Sequence, residues 1–210
     1  MNISAEERAL YYGERLAEVI RCKTVSKKDG FEAAEFLKLR EVIKKLFPLM
    51  TEKAELKILG DDAYLYKIKG RDESRNVMVM SHHDVVDATG DWQEEPFAGV
   101  IRDGKLWGRG TVDTKTPLFA EFSAIEELLG EGFEFPVNTY LFSSHNEEYG
   151  GDGALLALDY FNENNIKFEW IMDEGGAIID PPMAGISKRC AMMAVHEKGR
   201  CTAQLTASSK

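Results

Sequence analysis

Cysteine is scarce. Cys22, Cys190 and Cys201 are the only three in 210 residues, and none stands in a Cys-x-x-Cys pair. An odd, widely spaced set excludes a disulfide framework and a cysteine-type metal site. Positive charge is also short, with 26 Lys and Arg against 36 Asp and Glu and a net charge of −10. A nucleic-acid partner or an anionic membrane surface needs a basic face, so neither is expected. No apolar run approaches the roughly 18 residues of a membrane span. The N-terminal segment is charged from residue 6 and amphipathic, unlike a signal peptide. A cytoplasmic chain is expected. Repeats and low-complexity linkers are lacking too. The length suits one domain, or one domain and the start of a second.

What is present alternates between strand and helix patterns. Residues 4–21 read as a helix, with Ser4 and Glu7 forming a capping box. A second helical pattern covers 31–46 and stops at Pro48. Strand-like runs follow at Leu56–Leu59, Ala63–Lys69 and Asn76–His82. Asp103-Gly104 marks a hairpin within 99–107. Residues 117–129 read as a helix with Thr116 as N-cap and Pro117 as its first residue. A strand over 137–143, a helix over 154–162, a buried strand over 168–172 and a strand-like tail over 191–207 complete the pattern. It predicts an α/β fold: a three-layer α/β/α sandwich with a mixed, largely parallel sheet.

In such folds ligands bind beyond the carboxyl ends of the strands. Three apolar runs here end in residues able to bind metal. Val77–Met80 leads into Ser81-His82-His83-Asp84, Tyr140–Phe142 into His145-Asn146-Glu147-Glu148, and Trp170–Met172 into Asp173-Glu174. Asp113 follows the glycine turn Gly108-Arg109-Gly110. Alternate strand residues share a side, so His82 and Asp84 face one way and His83 the other. An imidazole ligand usually donates its second N–H to a carboxylate, and Asp84 suits that task. Glu147 and Glu148 diverge, which leaves one carboxylate for metal and one for protons. The plainer alternatives are solvated histidines at a strand end, an acidic pair before a helix and turn aspartates. Lys115 and Arg109 read as surface charges.

These residues resemble a known family. His82-x-Asp84-Val85-Val86, Trp92, Pro96-Phe97, Asp103-Gly104 and Trp107-Gly108-Arg109-Gly110-x-x-Asp113-x-Lys115 come in the order found in the aminoacylase/carboxypeptidase family of two-zinc metallopeptidases. Ser144-x-Asn146-Glu147-Glu148-x-Gly150-Gly151-x-Gly153 and Asp173-Glu174-Gly175 continue it. The segment from Phe36 to Pro48 is similar to the Gly-Xaa carboxypeptidase and N-acyl amino acid hydrolase branch. The resemblance spans about residues 10–200. It implies that His82 and Asp173 bind one zinc, Asp113 bridges two, and Glu148 binds the second. It further implies that Glu147 is the general base, that Asp84 supports His82, and that the Asp113-Thr114 peptide is cis. Cobalt or manganese would suit the same ligands. The implied substrate is a small peptide or N-acyl amino acid, cleaved at an amide next to a free carboxylate.

Two departures concern loop geometry: Asp87 stands where the family has proline, and Thr116 where glycine is common. The family's second-zinc histidine comes from a later part of the catalytic domain, and none of His83, His145 and His196 sits at that position. The expected organisation is therefore an incomplete catalytic domain over 1–198 and the start of a lid or dimerisation domain over 199–210. Glu197-Lys198-Gly199 would be the crossing. The chain alone is expected to be inactive and to form homo-oligomers if a sheet edge is left open. The alternative from another class is a non-catalytic acidic interaction domain retaining at most one metal.

Overall fold

Ser4 caps the first helix of the computed structural model, which describes residues 4–175, 177–196 and 203–208. The helix, α1 (Ala5–Ile20), opens on the expected capping box. The Glu7 N–H donates to Ser4 Oγ at 3.2 Å, and the Ser4 N–H donates to the Glu7 carboxylate at 2.8 Å. A short ribbon of β1 (Ser26–Lys27) and β2 (Gly30–Phe31) follows. In α2 (Ala33–Leu46), Phe36, Leu39, Ile43 and Leu46 recur at three- and four-residue intervals and are buried. Pro48 ends α2 and also begins a further helix, α3 (Pro48–Lys53), which is too short to leave a periodic signal.

The central sheet has five strands: β3 (Glu55–Leu59), β4 (Ala63–Ile68), β5 (Asp72–His82), β8 (Val137–Ser144) and β9 (Ile171–Met172). Their order is β3-β4-β8-β5-β9. The β3–β4 and β4–β8 pairs are antiparallel, and the β8–β5 and β5–β9 pairs are parallel. The sheet is thus mixed, as expected, and its parallel half carries the residues of interest. Between β5 and β8 lie the hairpin of β6 (Val100–Arg102) and β7 (Lys105–Trp107) and the helix α4 (Lys115–Gly130). Asp103 and Gly104 both turn through positive φ, 53° and 69°, as a two-residue hairpin requires.

Alternation in β4 and β8 separates two cores. Tyr64, Tyr66 and Leu141 face α1, α2, α3 and α4, where they meet Leu39, Phe47 and Phe122. Leu65, Tyr140 and Phe142 face α5 (Gly153–Glu163), where they meet Ala157 and Phe161. Helices therefore cover both faces, giving the α/β/α layering. No helix among the described residues is long and apolar enough to cross a membrane.

Three expectations need correction. The N-cap of α4 is Thr114, and Thr116 lies inside the helix, where its hydroxyl donates to the Thr111 carbonyl. Pro117 still falls in the first turn, where a missing N–H leaves no bond unmade. The strand expected over 168–172 is only two residues long, and Ile171 and Met172 are each 52% exposed. It is the outermost strand of the sheet, so its apolar residues lack the cover that β8 enjoys. Among its described residues the tail forms a short antiparallel pair, β10 (Ile178–Ile179) with β11 (Cys190–Ala191), and residues 203–208 have no regular structure. The chain divides into two units, Met1–Glu174 and Gly175–Lys210. The crossing expected at Glu197–Gly199 lies outside the described residues.

Candidate metal centre

The parallel register of β5 and β8 decides which loops meet. His82 pairs with Ser144, so both strands end at the same edge of the sheet. The strand β9 runs parallel on the other side of β5 and leads into Asp173 and Glu174. The loop before α4 brings Asp113 to the same edge. Asp84, Asp113, Glu147 and Glu174 thus gather around His82 through topology, beyond the carboxyl ends of parallel strands.

His82 is the centre of this group. Its Nδ1 lies 2.9 Å from the Asp84 carbonyl oxygen and 3.3 Å from the Asp84 carboxylate. With acceptors alone on that side, Nδ1 carries the proton. Nε2 then points at carboxylates: Asp113 Oδ1 at 3.0 Å, Glu174 Oε1 at 3.5 Å and Glu147 Oε2 at 3.8 Å. Burial disfavours a charged ring here. The hydrogen bonds to Asp84 and the charges of Glu174 and Asp84 outweigh it and push His82 up to about 10. The side chain of His82 is 2% exposed and those of Asp113 and Glu147 are 66% and 57% exposed, so the carboxylates form the open side.

Asp84 does more than orient the imidazole. Its buried carboxylate also accepts the Ser26 hydroxyl at 2.5 Å, the Glu147 N–H at 3.1 Å and the Glu148 N–H at 3.2 Å. One side chain therefore fixes both the histidine and the start of the 3-10 turn Glu147–Tyr149. Burial would raise its pKa, but His82 and Ser26 hold it below the ordinary carboxylate value.

Asp113 sits on a loop pinned from below. Lys115, expected at the surface, is fully buried. Its ammonium donates to the carbonyls of Val19 and Cys22 at the end of α1. That helix has no basic residue in its own last turn, so Lys115 supplies the cation its terminus favours. Burial lowers Lys115 to about 8. Gly110 has φ of +88°, and a Cβ there would meet both Lys115 and Val85 at 3.0 Å, so the loop can close this tightly only on glycine. The Asp113-Thr114 peptide is cis, as the family resemblance implied. Arg109 is half-buried, donates to the Asp87 carbonyl and lies 5.0 Å over the Trp92 ring.

His82, Asp113 and Glu174 each offer one ligand atom, all within 4.8 Å of one another. Ligands about 2.0–2.1 Å from a tetrahedral zinc stand roughly 3.3 Å apart. The 3.0 and 3.5 Å separations around His82 Nε2 match such edges. Burial and the nearby Asp113 charge both raise Glu148, a repulsion that a cation between them would relieve. The residues therefore fit a divalent metal. Glu174, which the sequence did not single out, brings its carboxylate to His82; it neighbours Asp173 in a loop, where strand alternation gives no guide. Asp173 is exposed, and its carboxylate accepts the Glu174 N–H at 2.8 Å. Substituting each carboxylate separates their roles. Glu174→Gln is expected to weaken zinc binding by about tenfold or more if it is the ligand, with Asp173→Asn nearly neutral. Calorimetric titration of both variants would show it, and the reverse ranking would assign the ligand to Asp173.

Two other histidine readings are settled by position. His83 points away from the site, as expected, and is buried. His145 is buried beside Phe31 and outside the His82 group, with burial lowering its pKa.

Comparison with known proteins bears on this geometry. A family model described as peptidase family M20/M25/M40 matches residues 78–195. The chain is 37% identical over 203 residues to the probable carboxypeptidase S-like 2 of Dictyostelium discoideum, covering 92% of this chain and 39% of the relative. It is 34% identical over 205 residues to human N-fatty-acyl-amino acid synthase/hydrolase PM20D1, covering 93% and 40%. Among solved structures, human carnosine dipeptidase 1 superposes with a TM-score of 0.64 at 19% identity, over 82% of this chain and 41% of that one. The M20 family metallo-carboxypeptidase Sso-CP2 of Sulfolobus solfataricus does so with 0.61 at 25% identity, over 85% and 39%. The chain spans about two-fifths of the length of the curated relatives it matches.

Proposed function

Because the chain belongs to peptidase family M20/M25/M40, we propose that it carries much of the active centre of a metal-dependent hydrolase. The bond cleaved is an amide next to a free carboxylate, in a dipeptide or an N-acyl amino acid. The observation that carries this reading is the convergence of His82 Nε2, Asp113 and Glu174 at ligand spacing, with Glu147 beside them. The chain's relatives, a probable carboxypeptidase S-like protein and an N-fatty-acyl-amino acid synthase/hydrolase, support the substrate class.

His82, Asp113 and a carboxylate from the Asp173-Glu174 pair would hold one metal. Asp113 and Glu148 would contribute to a second. Zinc suits this imidazole and carboxylate set, and cobalt or manganese would also fit. When bound, the metal supplies a Lewis acid for the carbonyl and makes a water molecule more acidic. Glu147 takes the proton from the attacking water and returns it to the leaving nitrogen. Its carboxylate is exposed while its N–H is tied to Asp84, so it is both accessible and fixed in place. In the same reading residues 1–198 belong to the catalytic domain and 199–210 begin a lid or dimerisation domain.

Within these residues the two metal positions are unequal, three ligands against two. Zinc titration should give one tight equivalent and a second held roughly tenfold more weakly or worse. Two equally tight zincs would contradict this. The chain alone should release no amine from dipeptides or N-acyl amino acids above background, and robust turnover would overturn that expectation. Glu147→Gln should leave the zinc titration unchanged.

A further inference from the structure

Side chains at the end of β5 part company. His82 and Asp84 face the metal centre, while Ser81 and His83 enter the layer beneath α2 and α4. Ser81 donates to the Glu121 carboxylate at 3.0 Å. His83 is fully buried. Its ring lies on Tyr64, with centroids 4.1 Å and planes 8° apart, and meets Phe36 edge-on at 5.6 Å. Its Nδ1 pairs with Ser143 Oγ at 2.8 Å. Its Nε2 faces Asp62 Oδ2 at 3.7 Å, beyond hydrogen-bond range, and has no hydrogen-bond partner among the described residues. Asp62 is ion-paired with Arg40 of α2 and accepts the Tyr64 hydroxyl at 2.9 Å. The main chain of His83 is held as well. Its N–H donates to the Ser144 carbonyl at 2.9 Å, and its carbonyl accepts the Thr24 hydroxyl at 2.5 Å.

A carboxylate, an imidazole and a serine in line are also the parts of a nucleophilic triad. Ser143 is 1% exposed and sits inside β8, so no substrate can reach it. The arrangement has a different use. A ring this enclosed by aromatic neighbours could be phenylalanine, yet it is a histidine with one nitrogen bound across the sheet. The residue so anchored is the one between His82 and Asp84. Rotation of the strand end about its axis would move both functional side chains together, and His83 resists that rotation.

We propose that His83 is a positioning residue: its Ser143 bond and its seat on Tyr64 fix the strand end from which His82 and Asp84 reach the metal centre. This rests on the functional reading only in taking His82 and Asp84 as site residues. The test uses the metal-free chain and the ring 15N and 1H resonances of His82, assigned by their loss in His82→Ala. His83→Phe keeps the ring and removes the nitrogen, and Ser143→Ala removes the other partner. In both, the His82 resonances should shift and broaden, and zinc affinity should fall about tenfold, while amide signals remote from the site stay in place. His83→Asn, which restores a polar atom near the Nδ1 position, should move the resonances back toward the wild-type positions. Unmoved His82 resonances in both deletion variants would overturn the proposal, as would His83→Asn behaving like His83→Phe. If His83→Phe does not fold, Ser143→Ala decides. Failure of the wild-type chain to bind zinc would count against the functional reading, while the metal-free resonances would still judge His83.

Discussion

Replacing Asp84 by asparagine is expected to lower the melting temperature by about 5–15 °C and zinc affinity by about 10–100-fold. The reason is the character of its neighbours. The Glu147 N–H, the Glu148 N–H, the Ser26 hydroxyl and the protonated His82 Nδ1 are all donors. A carboxylate can accept all four, whereas an amide has one accepting oxygen and turns two donors of its own into the group. Losing charge-assisted bonds in a buried cluster costs about 2–4 kcal/mol. Against the effect of burial, His82 and Ser26 hold the folded-state pKa of Asp84 below the ordinary carboxylate value, so its stabilisation is present above that ordinary value and is lost as pH falls through the folded-state pKa. Thermal melts and zinc titrations of the variant at neutral pH would check both effects. Unchanged values would show that Asp84 is not the hub of the site.

Glu121→Gln should do the opposite and stabilise the chain, increasingly so as pH rises. Glu121 lies on α4 against the sheet, where it accepts the Ser81 hydroxyl. Burial, then the charges of Glu174 and Asp173, raise it from 4.5 to about 8. The folded state therefore keeps a proton that the unfolded state gives up. Between pH 4.5 and about 8, stability falls as pH rises, at a rate of about 1.4 kcal/mol per unit. Above that range the loss is complete and the slope ends. Glutamine keeps an oxygen for Ser81 and carries no charge, so this fall should vanish in the variant. Melting temperatures of the two proteins should agree near pH 5 and diverge by several degrees by pH 8. Parallel curves would place the Glu121 carboxyl near its ordinary pKa.

The sequence carried the site further than it carried the surroundings. Two-residue alternation put His82 and Asp84 on one side and His83 on the other, and the structure agrees, because a strand's side chains alternate wherever it lies. That Asp84 would hold the Glu147 and Glu148 N–H groups was not legible. It depends on β5 pairing with β8 in the register His82–Ser144, a long-range choice. Lys115 read as a surface charge because nothing local announces that the Val19 and Cys22 carbonyls at the end of α1 will meet its ammonium. The strand at 168–172 read as buried from its apolar composition, but composition cannot say that a strand will lie at the sheet's edge. Asp173 and Glu174 lie beyond that strand, where alternation no longer orders side chains. Sequence alone could not choose which of the two reaches His82.

In the function proposed above, His82 anchors a metal centre built at the carboxyl edge of the sheet. Its most direct measurement is zinc binding to the chain and to His82→Ala, by calorimetry on protein first stripped with a chelator. The wild-type chain should take up one zinc tightly. The variant, with only carboxylates left among the three grouped ligands, should bind at least about 100-fold more weakly while keeping its folded circular dichroism spectrum. Wild-type affinity in folded His82→Ala, or no zinc uptake by the wild-type chain, would contradict the account.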